Sequence, residues 1–202
     1  MHISEGVLSA PVLVTGAAVT AGFTWLGLKR IDYDQMVHVA ILASAFFVAS
    51  LIHVNIGPSS VHLILNGVVG LLLGMAAFPA ILTALVLQAL LFQYGGLTAL
   101  GVNAIIMALP AVMVHYLFGA MVGKSAAMTF TAGFLSGLVS VLLSCILLGA
   151  SLWATDAQFL KTSLAIITAH VPVMIVEGIV TGFCISFLVR VYPEILFKGN
   201  RR

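Results

Sequence analysis

The sequence predicts an all-α integral membrane protein: a bundle of seven transmembrane helices with a non-helical N-terminal arm folded into it from the extracytoplasmic side. Three observations carry that expectation. Of 202 residues, 62% are hydrophobic and 7% charged, where a soluble domain has about a quarter charged. No Asp, Glu, Lys or Arg occurs from Gln35 to Gly123, a stretch too long for one or two crossings of about 20 residues each. The opening MHISEG has no basic residue ahead of the first apolar run, since Lys29 and Arg30 follow it. It is therefore not an ordinary export signal.

The first span is expected from Ser9 to Leu28, with Ser9 as N-cap and Pro11 in the first turn, where its missing N–H costs nothing. Residues 1–8 are left as the arm, and 9–202 form the bundle of one membrane domain. KRIDYDQ (29–35) ends the first span, and a second covers Met36 to Val54 up to NIGPSS (55–60), a helix-stopping cluster of Asn, Gly and Pro. A third runs from Ser59 to Met75, and AAFPA separates it from a fourth, Ile81 to Tyr94. GGLTALG (95–101) leads into a fifth ending near Val122. The sixth covers Met128 to Leu148, SLWATDAQFLK (151–161) is a polar connection, and the seventh extends from Thr162 to Val189. Gly67, Gly70, Gly74, Gly133, Gly137, Gly178 and Gly182 recur at three- or four-residue spacing, which lets helix backbones approach closely. Gly16, Ala17, Ala21 and Gly22 are candidates for a face toward another membrane subunit. Cys145 and Cys184 lie in apolar runs and read as small buried hydrophobes.

With seven crossings, Lys29, Arg30, Lys124, Arg190, Lys198, Arg201 and Arg202 share one side and Lys161 lies on the other. The positive-inside rule then puts the C-terminus in the cytoplasm and the arm outside, in a multi-pass cytoplasmic membrane protein. The formal charge of +2 gives no case for nucleic-acid binding.

Met1-His2 is a ready chelator. The α-amine, the His2 amide nitrogen and imidazole Nδ1 close two adjacent chelate rings on one ion and leave one in-plane position for a fourth nitrogen. Such a planar nitrogen set favours Ni(II) or Cu(II) over Zn(II) or Mg(II). His62, expected one turn into the third span, is the leading fourth ligand, and His53 is the alternative. Asn66, four residues beyond His62, would share its helical face and orient the ring. An arm of eight residues reaches about 26 Å against about 15 Å for half the hydrocarbon core, so the N-terminus can meet His62 inside the bundle.

His170 and Glu177 are seven residues apart on one expected helix face, with Pro172 between them. An intramembrane carboxylate is costly and marks a functional site by default. Gln88, Gln93 and Asn103 flank the QYGG break on the arm's side, where broken backbone lines a pocket. Glu5, Asn66, Asn103, His170 and Glu177 make up a supporting polar shell. His38 and His115 are assigned to packing or interface roles.

Four ordered blocks, MHISEG, GPSSVHLILNGVVGLLLG, LQALLFQYGGLTALGVNAIIMALPA and AHVPVMIVEG, resemble the CbiM/NikM family, the substrate-binding membrane subunits of energy-coupling-factor transporters for cobalt and nickel. The resemblance spans almost the whole chain. It implies that Met1, His2 and His62 bind the metal in a planar set of nitrogens. It also implies that the subunit is not an enzyme and has no cofactor of its own beyond the transported Co(II) or Ni(II). Partners implied are a transmembrane scaffold (T) subunit, cytoplasmic ATPase (A) subunits and a small accessory membrane subunit. Cobalt stands slightly ahead of nickel. GPSS stands where many relatives have Gly-Gly-Thr-Ser. An intramembrane metalloprotease would need a set such as His-Glu-x-x-His, which the chain lacks, and a self-contained channel or carrier would use His170 and Glu177 as its ion path.

Overall fold

The computed structural model describes residues 2–56 and 59–192, and of Asp34, 53–56 and 59–62 the backbone alone. Among these residues the order is α1 (Ala10–Leu28), α2 (Tyr33–Ala49), β1 (His53–Ile56), β2 (Ser59–His62), α3 (Asn66–Leu73), α4 (Ala77–Phe92), α5 (Leu100–Phe118), α6 (Ala126–Thr155), α7 (Leu160–Ala169) and α8 (Val171–Val191). Met1, Lys198, Arg201 and Arg202, which entered the site and orientation expectations, lie outside the described residues.

Among the described residues five helical runs are long and apolar enough to cross a membrane, and α2 contributes a shorter apolar helix. Large apolar side chains such as Val14, Trp25, Leu91, Tyr116 and Phe183 lie exposed, while Asn66, Gln88, Ser140, Ser144 and Glu177 are buried. Polar groups inside and apolar groups outside are the arrangement lipid requires, because the bilayer core offers no water to satisfy a polar side chain. The chain is a multi-pass membrane protein.

The apolar run from Asn66 to Phe92 is a hairpin of helices. Gly70 abuts Ala111 and Gly74 faces His115, so α3 descends beside α5 in the same direction. Gly27, at the end of α1, meets Met75 and Pro79 at the start of α4, while Gly16 meets Val102 at the start of α5. Helix α4 therefore climbs back, antiparallel to α5. The reversal is made at Gly74, whose φ of +54° an L side chain rarely adopts. A turn was expected at AAFPA, but Pro79 is tolerated in the first turn of α4 and does not break it. Gly74 is thus a turn residue and not a helix-packing glycine. His115, expected deep in its span, sits in the last turn of α5, with Nδ1 3.2 Å from the Leu71 carbonyl.

Helices α7 and α8 together run antiparallel along α6. Ser163 lies at Gly149, Gly178 at Phe134, and Gly182 at Gly133 and Phe130. A Cβ on Gly133 would come within 2.8 Å of Gly182 Cα, so small residues here set the helix separation. The run bends at His170, just before Pro172, whose missing N–H interrupts the helical ladder. The polar stretch at 151–161 is not a loop throughout, because α6 continues to Thr155 before Asp156 caps a short turn. No disulfide joins Cys145 and Cys184.

The third span does not begin at Ser59. The strands His53–Ile56 and Ser59–His62 pair antiparallel with His53 opposite His62, and α3 starts only at Asn66. The ladder satisfies the inward-facing backbone groups of the two strands, and the linker that follows finds an acceptor on α8. His62 and Asn66 therefore share no helix face.

Of the α1 small residues, Gly16 is buried against Val102, and the Ala17 backbone lies against Gly101. Ala17, Ala21 and Gly22 are exposed. Ser9 holds the N-cap position with extended backbone but makes no side-chain capping bond.

Candidate functional site

The site lies where the ends of α2, α4 and α6 meet the starts of α1 and α5. Residues 2–9 are non-helical, and side chains from those elements hold them at successive points. The Ile3 N–H donates to Asn103 Oδ1 at 2.9 Å, and Asn103 Nδ2 donates to the Ile3 carbonyl at 3.0 Å. One buried amide thus satisfies both backbone groups of a residue that is 5% exposed. Glu5 accepts from the Thr98 N–H (3.0 Å) and hydroxyl (3.2 Å). The Thr98 N–H beside it holds the exposed Glu5 carboxyl below its ordinary range. Leu8 is buried, and the Ser9 N–H donates to Thr155 Oγ1 at 3.3 Å.

The turn at Gly95 and Gly96 forms the other wall. Both have φ near +75°, and a Cβ on Gly95 would lie 2.6 Å from Asn103 Nδ2 and 3.4 Å from His2 Cβ. A Cβ on Gly96 would run into the Glu5 side chain. These glycines leave the space that the arm fills.

His2 is half-buried, with Nε2 2.8 Å from Gln88 Oε1 and its ring 6.2 Å from that of Tyr94. Gln88 Nε2 donates to Ser50 Oγ at 2.7 Å, and the Ser50 hydroxyl donates to the Phe47 carbonyl at 2.6 Å.

The remaining expected residues separate. Asn66 is fully buried between Ser140, which donates to its Oδ1 at 2.7 Å, and Ser144, which accepts from its Nδ2 at 3.1 Å. Its role is to fix the start of α3 against α6. Glu177 and His170 do not form a pair. Glu177 accepts from the Ile64 N–H and, at 3.1–3.2 Å, from the Leu65 N–H, whereas His170 Nδ1 contacts the Ile166 carbonyl at 2.8 Å. Leu65 has φ +57°, a left-handed bend that aims both N–H groups at one carboxylate. Glu177 thus anchors the linker that follows His62.

His62 is described in its backbone alone, as the last residue of β2. Among the described residues no cluster of three or more His, Cys, Asp or Glu is placed to hold a metal. Thr98, Ser50 and Thr155 were not singled out from the sequence, and Gln88 was noted only as flanking a break. Each contacts the arm or its support across scores of residues, so no local pattern marks it.

Asn103→Leu removes both partners of Ile3 while keeping the apolar packing. Leaving a buried N–H and C=O unpaired costs about 1–3 kcal/mol each, so arm docking should weaken by about 2–6 kcal/mol. Amide exchange at Ile3 should accelerate by more than tenfold while that of α6 stays unchanged. Equal Ile3 exchange in both proteins would show that Asn103 does not hold the arm.

A polytopic helical protein with a non-helical segment clamped at one end of its helices has the make-up of a membrane transport component. The chain belongs to the CbiM family, described as the cobalt uptake substrate-specific transmembrane region, which matches residues 2–195. It is 40% identical over 199 residues, 97% of each chain, to a putative metal transport protein of Haemophilus influenzae. It is 36% identical over 120 residues to the fused nickel transport protein NikMN of Rhodobacter capsulatus, covering 56% of this chain and 35% of that one. A solved structure described as a transition metal transporter has the same fold, with TM-score 0.80 over 100% of this chain and 99% of that one at 24% identity. The chain is thus of the cobalt/nickel uptake family of substrate-specific membrane components.

Proposed function

We propose that this protein captures Co(II) for an energy-coupling-factor importer, binding it through the Met1 amine, the His2 amide nitrogen, His2 Nδ1 and a His62 nitrogen. The observation that carries this reading is the clamped arm. Asn103 and Gln88 hold Ile3 and His2 at the end of the bundle, and Gln88 also bonds Ser50, at the end of the helix that precedes the strand pair to which His62 belongs. His53, opposite His62 in that pair, is the alternative fourth ligand.

In this reading the arm enters from outside the cell and the C-terminus lies in the cytoplasm. Seven crossings result when α3 and α4 count separately and α7 with α8 count as one. Capture involves no catalysis by this chain. Energy comes from cytoplasmic ATPase subunits through a transmembrane scaffold subunit, with a small accessory membrane subunit in attendance. Because the amine and amide must give up protons to bind, affinity rises with pH.

Ni(II) is the second reading, favoured by the planar nitrogen set. Titration of the purified full chain with Co(II) and Ni(II) separates the two by affinity. His62→Ala should weaken both by more than about 100-fold, since loss of outer-shell support alone costs about 10–100-fold. Unchanged binding in that variant removes His62 from the set. Uptake by liposomes holding this chain alone would favour a self-contained carrier instead.

A further inference from the structure

The geometry points to Gln88 and Ser50 as positioning residues that hold His2 in its Nε2–H tautomer and leave the lone pair on Nδ1. The inference follows from hydrogen-bond polarity along a buried relay. The Phe47 carbonyl can only accept, so the Ser50 proton is committed to it at 2.6 Å. The Ser50 oxygen must then accept from Gln88, which places the amide NH2 of Gln88 toward Ser50 at 2.7 Å. The amide oxygen is left facing His2 at 2.8 Å, and because it too can only accept, His2 Nε2 carries the proton.

The opposite tautomer would require Gln88 to flip, Ser50 to donate to Gln88, and the Phe47 carbonyl to lose its hydroxyl donor. Gln88 is 0% and Ser50 2% exposed, so water does not repair that loss cheaply. The ring's other nitrogen, Nδ1, lies on the side of its own main chain. It is the nitrogen able to close a chelate ring with the His2 amide, and the relay gives it the lone pair before any ion arrives. Orientation of a ligand histidine through its second nitrogen is a general way of setting both tautomer and ring angle. The relay ties this setting to the end of α2, immediately before the hairpin.

The inference rests on His2 being a ligand, and the experiment separates the two. Full-length protein with 15N-labelled histidine is compared in the metal-free state as native chain, Gln88→Met, Gln88→Glu and Ser50→Ala, with His2→Gln identifying the His2 signals. The native chain should give a protonated-type Nε2 and a lone-pair-type Nδ1. Gln88→Met should lose that pattern to an average of tautomers and bind Co(II) and Ni(II) about 10–100-fold more weakly. Gln88→Glu, which keeps an acceptor, should retain the pattern and recover most of the affinity, with Ser50→Ala intermediate. An unaltered Nε2–H pattern in Gln88→Met, or equal loss of affinity in the Met and Glu variants, overturns the inference. If the native chain binds neither ion, the metal role of His2 falls, while the metal-free spectra still decide the tautomer.

Discussion

One residue added ahead of Met1 should weaken Co(II) and Ni(II) binding by more than about 100-fold, a loss larger than that of an outer-shell contact, while leaving thermal stability unchanged. The added residue converts the α-amine into an amide, which removes the most basic nitrogen of the chelate and moves the new amine one residue farther from the imidazole. The fold is spared because the addition precedes the clamped residues, His2 on Gln88 and Ile3 on Asn103. The measurement is calorimetric titration of native and extended chains, with intact mass confirming each N-terminus and melting followed in parallel. Equal affinity with an intact fold would remove the amine from the ligand set.

Glu177→Leu should destabilise the protein by about 2–5 kcal/mol, because two buried N–H donors lose their acceptor. Glu177 is fully buried and stands beside Gly137, near the middle of α6. Its carboxylate serves the Ile64 and Leu65 N–H groups where the chain is neither strand nor helix. Non-helical backbone at that depth persists only if the protein supplies its partners. Glu177→Gln keeps one acceptor and should cost about 1 kcal/mol. Melting in detergent reads the stability, and hydrogen exchange at Ile64 and Leu65 localises it. Metal affinity should fall as well, since the linker holds the strand that carries His62. A Leu variant as stable as the native chain, with Ile64 equally protected, would refute the anchoring role.

The membrane class and the breaks were legible because both are local. A run of 89 residues without Asp, Glu, Lys or Arg (Gln35 to Gly123, 123 − 35 + 1) admits few alternatives, and the Gly95-Gly96 pair separates α4 from α5. The start of α1 was legible for the same reason, since Ser9 and Pro11 mark it. Asn103 and Gln88 could be picked out as polar residues beside a break. What each holds could not, because their partners Ile3 and His2 lie 100 and 86 residues away.

The errors have the same origin. Ser59 to Leu65 is apolar enough for a helix, and nothing in its own pattern favours a hairpin and a left-handed bend. Glu177, more than 110 residues later in the chain, stabilises that backbone. His170 and Glu177 fell on one face of a continuous helix in the sequence, yet the bend at His170 and the demand of the linker separate them.

By itself, then, the sequence determined a multi-pass membrane protein and the start of its first helix, because composition and chain breaks act over a few residues. Only the tertiary structure decided where the arm is seated, which way α4 turns and what Glu177 holds. Inside lipid every buried polar group must find its partner within the protein, and those partners come from helices remote in sequence.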